Sequence, residues 1–220
     1  MIPFVGLALY AEGKTDHRFL EGVARRAVTE ALTSRGVVAE VPEVQRLTIE
    51  EGIVGRADRI LAGAIREQGA FHVLFIHADA NGDAGRARSE RVDPARTAVL
   101  DALGNAARAV VGIVPVRMTE AWALSDGDAL RAVLSSSKSD QELGVPAPGQ
   151  LEGLNDPKAV LDSVVAAAHT RRRRRRVETG AAYLDRLADE VRLDSLRALS
   201  AYQQFESDVE AALNHLGHLH

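Results

Sequence analysis

Two hydrophobic periods alternate along the first half of the chain. Ile2–Tyr10 is a nearly continuous apolar run, the pattern of a strand buried on both faces. Thr15 or Asp16 is placed to cap a helix whose apolar residues Phe19, Leu20, Val23, Ala24, Ala27 and Val28 recur at helical spacing, and Gly36 ends it. Val37–Leu47 is β-rich and supplies a second strand. Thr48 followed by Glu51 has the form of a capping box, ahead of a helix with Ile53, Ala57, Ile60, Leu61 and Ala64 on one face. Phe71–Ala78 is the clearest strand in the chain, Ala95–Ala107 reads as a helix and Ala109–Val116 as a fourth strand. This alternation predicts an α/β fold: a mostly parallel four-stranded sheet flanked by helices.

After Val116 the pattern changes. Ser135–Gln150 is rich in Ser, Gly and Pro and reads as a loop. Lys158–Ala168, Ala181–Val191, Asp194–Leu199 and Phe205–Leu216 are helical. The expected organisation is an α/β domain over residues 1–134, with a loop and helical region over 135–220 packed on or beside it. A chain of 220 residues buries a core without staples. The absence of cysteine excludes disulfides, thiolate zinc sites, iron–sulfur clusters and cysteine nucleophiles. A net charge of -4 means that any nucleic-acid contact has to come from a local basic patch. Ile2–Tyr10 is far short of the ~20 apolar residues that a bilayer requires. It lacks a basic leader and Glu12 follows it, so the sequence predicts a cytoplasmic protein without membrane contact.

In an open parallel sheet, ligands gather at the carboxyl ends of the strands. Acidic residues stand at three such ends: Glu12-Gly13-Lys14-Thr15-Asp16, Asp79-Ala80-Asn81-Gly82-Asp83 and Arg117-Met118-Thr119-Glu120. Carboxylates gathered at one edge repel each other unless a cation sits among them, and Mg²⁺ (or Mn²⁺), with its preference for oxygen ligands, suits the place. Each segment also has a plainer reading. Glu12 and Glu120 are favourable first-turn acids of helices, and Asp79–Asp83 is good turn chemistry. His77 falls on the same strand face as Asp79 and also reads as a structural histidine. Lys14 reads either as a phosphate contact or as a solvated turn lysine. Arg117 reads either as a phosphate contact or as an ion-pair partner of Glu120. Trp122, the sole tryptophan, reads as core.

On these residues the chain resembles the Toprim superfamily, which includes topoisomerase and primase catalytic domains and the OLD-type nucleases. Tyr10-Ala11-Glu12-Gly13-Lys14-Thr15-Asp16 matches the family's Glu in a Gly-containing turn after the first strand. Asp79-Ala80-Asn81-Gly82-Asp83 resembles its Asp-x-Asp, with Asn81 in the second position and Asp83 available as a substitute. Val114-Pro115-Val116-Arg117-Met118-Thr119-Glu120-Ala121-Trp122, Asn155-Asp156-Pro157-Lys158 and the late Leu-rich segment with Phe205 are similar to an uncharacterised Toprim-like bacterial family. Its members are often encoded beside an ABC-class or OLD-like ATPase, in loci suspected of phage defence. The resemblance implies a metal ringed by Glu12, Asp79, Asn81 or Asp83, and Glu120. Glu12 would be a general base or would orient the attacking water, with Lys14 and Arg117 neutralising phosphate charge.

Arg171, Arg172, Arg173, Arg174, Arg175 and Arg176 are six consecutive arginines. They read either as a phosphate clamp for nucleic acid, with salt-dependent affinity, or as a solvated linker. The leading expectation is a Mg²⁺-dependent nuclease or related phosphoryl-transfer enzyme acting on DNA or RNA, with a partner ATPase and room for a homodimer. The alternative is a catalytically inactive regulatory or sensor subunit that binds such an ATPase, motivated by Asn81. A small-molecule phosphohydrolase lacks a convincing nucleophilic Asp with a distant Lys.

Overall fold

The computed structural model describes residues 2–50, 52–104, 108–169 and 178–219. Four strands, β1 (Leu7–Tyr10), β2 (Gln45–Arg46), β3 (Val73–His77) and β4 (Ala109–Ile113), form one fully parallel sheet in the order β2-β1-β3-β4. Leu9 stands opposite Phe75, and Phe75 opposite Val111. Every residue of β1, β3 and β4 is buried, as the continuous apolar runs require of a sheet covered on both faces.

The strands are shorter than their apolar runs. Val37–Leu47 contributes only β2 and an isolated bridge from Glu40 to Phe4. Pro42 lies between them and has no N–H for a ladder. β4 stops before Pro115, yet Ala80 N–H donates to Pro115 O at 3.0 Å and Gly82 N–H to Val116 O at 2.6 Å. The turn after β3 is therefore tied by backbone to the segment after β4.

Side chains divide by alternation. Leu7, Leu9, Val73, Phe75, Val111 and Ile113 face one core; Ala8, Tyr10, Leu74, Ile76 and Val110 face the other. The second core is covered by α2 (Arg56–Arg66), α3 (Ala84–Ala87), a π turn over Arg88–Val92 and α4 (Asp93–Leu103). α2 begins after Gly55, at φ +97°, so Thr48 does not cap it; Thr48 N–H donates instead to Glu67 Oε1, and Glu51 lies outside the described residues. α4 starts two residues earlier than its apolar pattern, with a proline in its first turn, and stops at Gly104.

The first core is covered by α1 (Lys14–Ser34) and by the helices that follow β4 among the described residues. That region comprises α5 (Thr119–Ala123), α6 (Gly127–Leu134), α7 (Asp140–Leu143), α8 (Pro157–Ala168), α9 (Leu184–Glu190), α10 (Leu193–Leu196) and α11 (Ser200–His215). The stretch expected as loop, Ser135–Gln150, contains α7, which Ser139 and Glu142 close with a capping box. Leu161, Leu187, Leu196 and Phe205 from residues 135–219 belong to the same buried cluster as Leu9 and Phe75 of the sheet. Phe75 and Phe205 lie 5.8 Å apart, and Trp122 meets Tyr202 edge-on at 5.4 Å. Close approach of α1 to α9 depends on Gly22, where a Cβ would come within 2.9 Å of the Ala188 Cβ. At the free edge of the sheet, Arg88 of the π turn pairs with Asp208 of α11 at 2.8 Å. Gly112 of β4 lies beneath, where a Cβ would meet Val92 at 3.1 Å. Among the described residues, no helix is long and apolar enough to cross a membrane.

Candidate metal centre

Three chain segments deliver acids to the carboxyl end of the sheet. α1 starts at Lys14 with Gly13 in the N-cap position, so neither Thr15 nor Asp16 is the cap. Asp16 lies in the first turn, where its Oδ1 accepts a 2.7 Å hydrogen bond from the Thr119 hydroxyl of α5. β3 ends at His77, and Asp79 follows it. α5 brings Thr119 and Glu120, both buried.

Proton placement in this cluster follows from what each group accepts and donates. The Asp16 carboxylate takes the Thr119 proton, which leaves the hydroxyl oxygen to accept. His77 Nε2 lies 3.3 Å from that oxygen and 3.1 Å from Asp79 Oδ1. Both neighbours are acceptors, so Nε2 carries the hydrogen. His77 Nδ1 is buried without a hydrogen-bond partner. In this network His77 orients Asp79, and Thr119 holds Asp16. Potential ligand atoms of Asp16, His77 and Asp79 all lie within 4.8 Å of one another. Burial pushes the Glu120 carboxyl above the usual range. The negative charges of Asp16 and Asp79 add to that, against the pull of its own backbone hydrogen bond and of Lys158. Burial is the main cause, and the nearby carboxylates add a repulsion that a cation placed among them would relieve. The carboxylates of Asp16 and Asp79, with Glu120 close enough to feel their charge, are oxygen donors of the kind that Mg²⁺ or Mn²⁺ prefers.

Glu12 is differently engaged. Its Oε1 accepts from Arg56 Nη1 and its Oε2 from Arg91 Nη2. Partial burial works to raise its carboxyl. The Arg91 hydrogen bond and the charges of Arg56, Arg91 and His77 outweigh this and hold it below the usual range. Glu12 thus stands beside the Asp16–Asp79–Glu120 set with both oxygens turned to arginines. Of the expected ring of Glu12, Asp79, Asn81 or Asp83, and Glu120, Glu12 and Asp83 are engaged by other groups of the chain. Asp83 Oδ1 accepts from Arg86 N–H as the cap of α3. Asn81 is an exposed turn residue at φ +51°. Lys14 is exposed in the first turn of α1.

Arg117 does not pair with Glu120. Its guanidinium rests on the 79–83 turn, with Nη1 3.2 Å from where a Gly82 Cβ would lie. Its Nε is buried without a hydrogen-bond partner. Trp122 is core, 1% exposed. The run Arg171–Arg176 lies outside the described residues.

Sequence reasoning missed Asp16 as a metal-facing acid because its place before an apolar helix reads as a cap. Its spacing of one helical turn from Glu12 was the available signal. Arg56 and Arg91 had no local signal, since they reach Glu12 from 44 and 79 residues away. Comparison with protein-family models, with curated proteins and with solved structures finds no match to this chain.

Proposed function

We propose that the protein is a divalent-metal-dependent phosphodiesterase acting on nucleic acid, a nuclease in the sense that the Toprim resemblance implies. The observation that supports this best is the grouping of Asp16, His77 and Asp79 at the carboxyl end of a parallel sheet, beside a buried Glu120 whose carboxyl is raised mainly by burial, with the charges of Asp16 and Asp79 adding to it. Asp16, Asp79 and Glu120 would hold Mg²⁺ or Mn²⁺. Bound there, the ion would supply Lewis-acid stabilisation of a phosphoryl oxygen.

The chain's own residues supply the rest. His77 and Thr119 fix the carboxylates that they touch. Arg117, without an ion-pair partner among the described residues, faces the same turn and would meet a phosphate oxygen as charge builds on it. Lys14 is exposed at the same sheet end and free to do likewise. Glu12, ionised, has the chemistry of a general base or of a group that orients water. Arg171–Arg176 would draw in a polyanion. A partner ATPase, a role in phage defence and a cytoplasmic location rest on the resemblance and the sequence alone.

Plasmid nicking and RNA cleavage with Mg²⁺ or Mn²⁺ test the proposal. Wild type should cleave, and Asp79→Ala should lose at least about a hundredfold, since loss of an outer-shell partner alone costs 10–100-fold. Equal activity in wild type and Asp79→Ala removes the assignment. Absence of both cleavage and Mn²⁺ binding by calorimetry would leave the regulatory-subunit reading, which Asn81 and the engaged Glu12 favour.

A further inference from the structure

Arg56 and Arg91 are held in place by groups other than Glu12. Arg56 Nε donates to Arg91 O at 2.8 Å, its Nη2 donates to His77 O, and the guanidinium lies 4.8 Å over the Tyr10 ring. Arg91 Nη1 donates to Asp79 O at 2.9 Å. Each guanidinium therefore keeps one Nη donor aimed at a common point, which the Glu12 carboxylate fills. The pair is largely enclosed, with side chains 15% and 29% exposed, whereas Glu12 is 48% exposed. Two fixed cations at a partly dry site form a built anion seat, and the occupant is a side chain on a short tether with one face in water.

A carboxylate on two guanidinium groups presents two oxygens to two donors. The two non-bridging oxygens of a phosphodiester present the same pattern. The carbonyls that fix the arginines belong to His77 and Asp79, so an anion in the seat lies beside the Asp16–Asp79–Glu120 cluster. We propose that Arg56 and Arg91 form a seat for a phosphodiester of the nucleic-acid backbone, with Glu12 as its internal, competing occupant. The nature of the ligand rests on the phosphodiesterase reading; the seat itself needs no metal. Displacement of Glu12 by the incoming phosphate frees its carboxylate toward the adjacent cluster.

The test is calorimetric titration in chelator, at about 0.15 M salt, of the dinucleoside monophosphate TpT and separately of inorganic phosphate. Wild type, Glu12→Gln, Arg91→Met, Arg91→Lys and Glu12→Gln/Arg91→Met are compared, each checked for folding by circular dichroism. A single phosphodiester at this salt is largely screened from distant charge such as the arginine run. Glu12→Gln should bind TpT about tenfold tighter than wild type, a gain of about 1.4 kcal/mol. Arg91→Met should abolish that gain in the double variant, and Arg91→Lys should retain part of the binding. TpT affinity unchanged or weaker in Glu12→Gln, or undiminished in folded Arg91→Met, overturns the seat. Should Arg91→Met fail to fold, Arg91→Lys decides, because full wild-type affinity there also overturns it. Binding of phosphate without TpT overturns the assignment to a nucleic-acid backbone. Because no metal or cleavage enters this measurement, an inactive nuclease with the expected binding pattern removes the phosphodiesterase reading and leaves the seat. An active one without the pattern does the reverse.

Discussion

Asp126 and Glu120 flank the short stretch Ala121–Ser125, and both are almost completely buried, at 1% and 4% exposure. Their acidities move in opposite directions. For Asp126, burial acts to raise the carboxyl, but the Arg192 side chain, the Arg192 and Ala129 N–H groups and the Arg192 charge overcome it and hold it below the usual range. Arg192 Nε and Nη2 donate at 2.7 and 2.8 Å, Arg192 N–H at 3.0 Å and Ser195 Oγ at 3.2 Å. Asp128 and Ala129 N–H groups make Asp126 the cap of α6 as well. Glu120 has carboxylates for neighbours instead. One acid is completed by its own chain and ties α6 to α10. The other is buried among like charges, with no cation side chain in contact with it among the described residues.

The largest expected effect breaks the comparison on the Asp126 side. Asp126→Ala should destabilise by about 3 kcal/mol, through loss of the α6 cap together with the charge-assisted hydrogen bonds to Arg192 and Ser195, while the half-exposed Arg192 is left to water. The native pKa of Asp126 lies below its unfolded value of about 3.9. Its contribution is therefore complete at neutral pH and fades as pH falls through the native value. In urea melts the gap between wild type and variant should be widest at neutral pH and narrow as pH is lowered through the native value.

A slightly smaller effect sharpens the other side. Mn²⁺ at a hundredfold excess over its dissociation constant should raise wild-type stability by about 2.7 kcal/mol. Asp79→Ala should show no such rise in a thermal-shift series. The smallest effect carries the opposite sign from the first. The native pKa of Glu120 is raised, so folding favours its protonated form, and wild-type stability declines as pH climbs through the window between about 4.3 and that higher value. Glu120→Gln removes the decline. In chelator at pH 7 it should melt higher than wild type. A variant melting lower would mean that the carboxylate is satisfied by the protein after all.

The sheet was legible because β1, β3 and β4 are buried on both faces and so carry unbroken apolar runs. The α/β alternation followed from them. What escaped was structure set by contacts between distant segments. α7 is a four-residue helix, too short to show a period, and only its capping box marks it. The π turn has no hydrophobic period of its own. Within the candidate site, Asp79 and Glu120 were visible as acids at strand ends. Asp83 misled because one residue type serves both as a ligand and as a helix cap, and here it caps. The engagement of Glu12 by two arginines depends on where α2 and the π turn land, and spacing along a single chain does not encode that.

The π turn also acts as a gear. Its five residues, Arg88–Val92, hold one position more than an α-helical turn would, and two of them carry guanidinium groups to different destinations. Arg88 goes outward to Asp208 across the rim of the sheet, and Arg91 goes inward to Glu12 and the Asp79 carbonyl. Deleting a single residue from this stretch would restore the ordinary helical winding and rotate one of these arms by about 100° relative to the other. The surplus residue sets the angle between rim and interior, so the brace on the outermost strand and the grip on Glu12 are phased together.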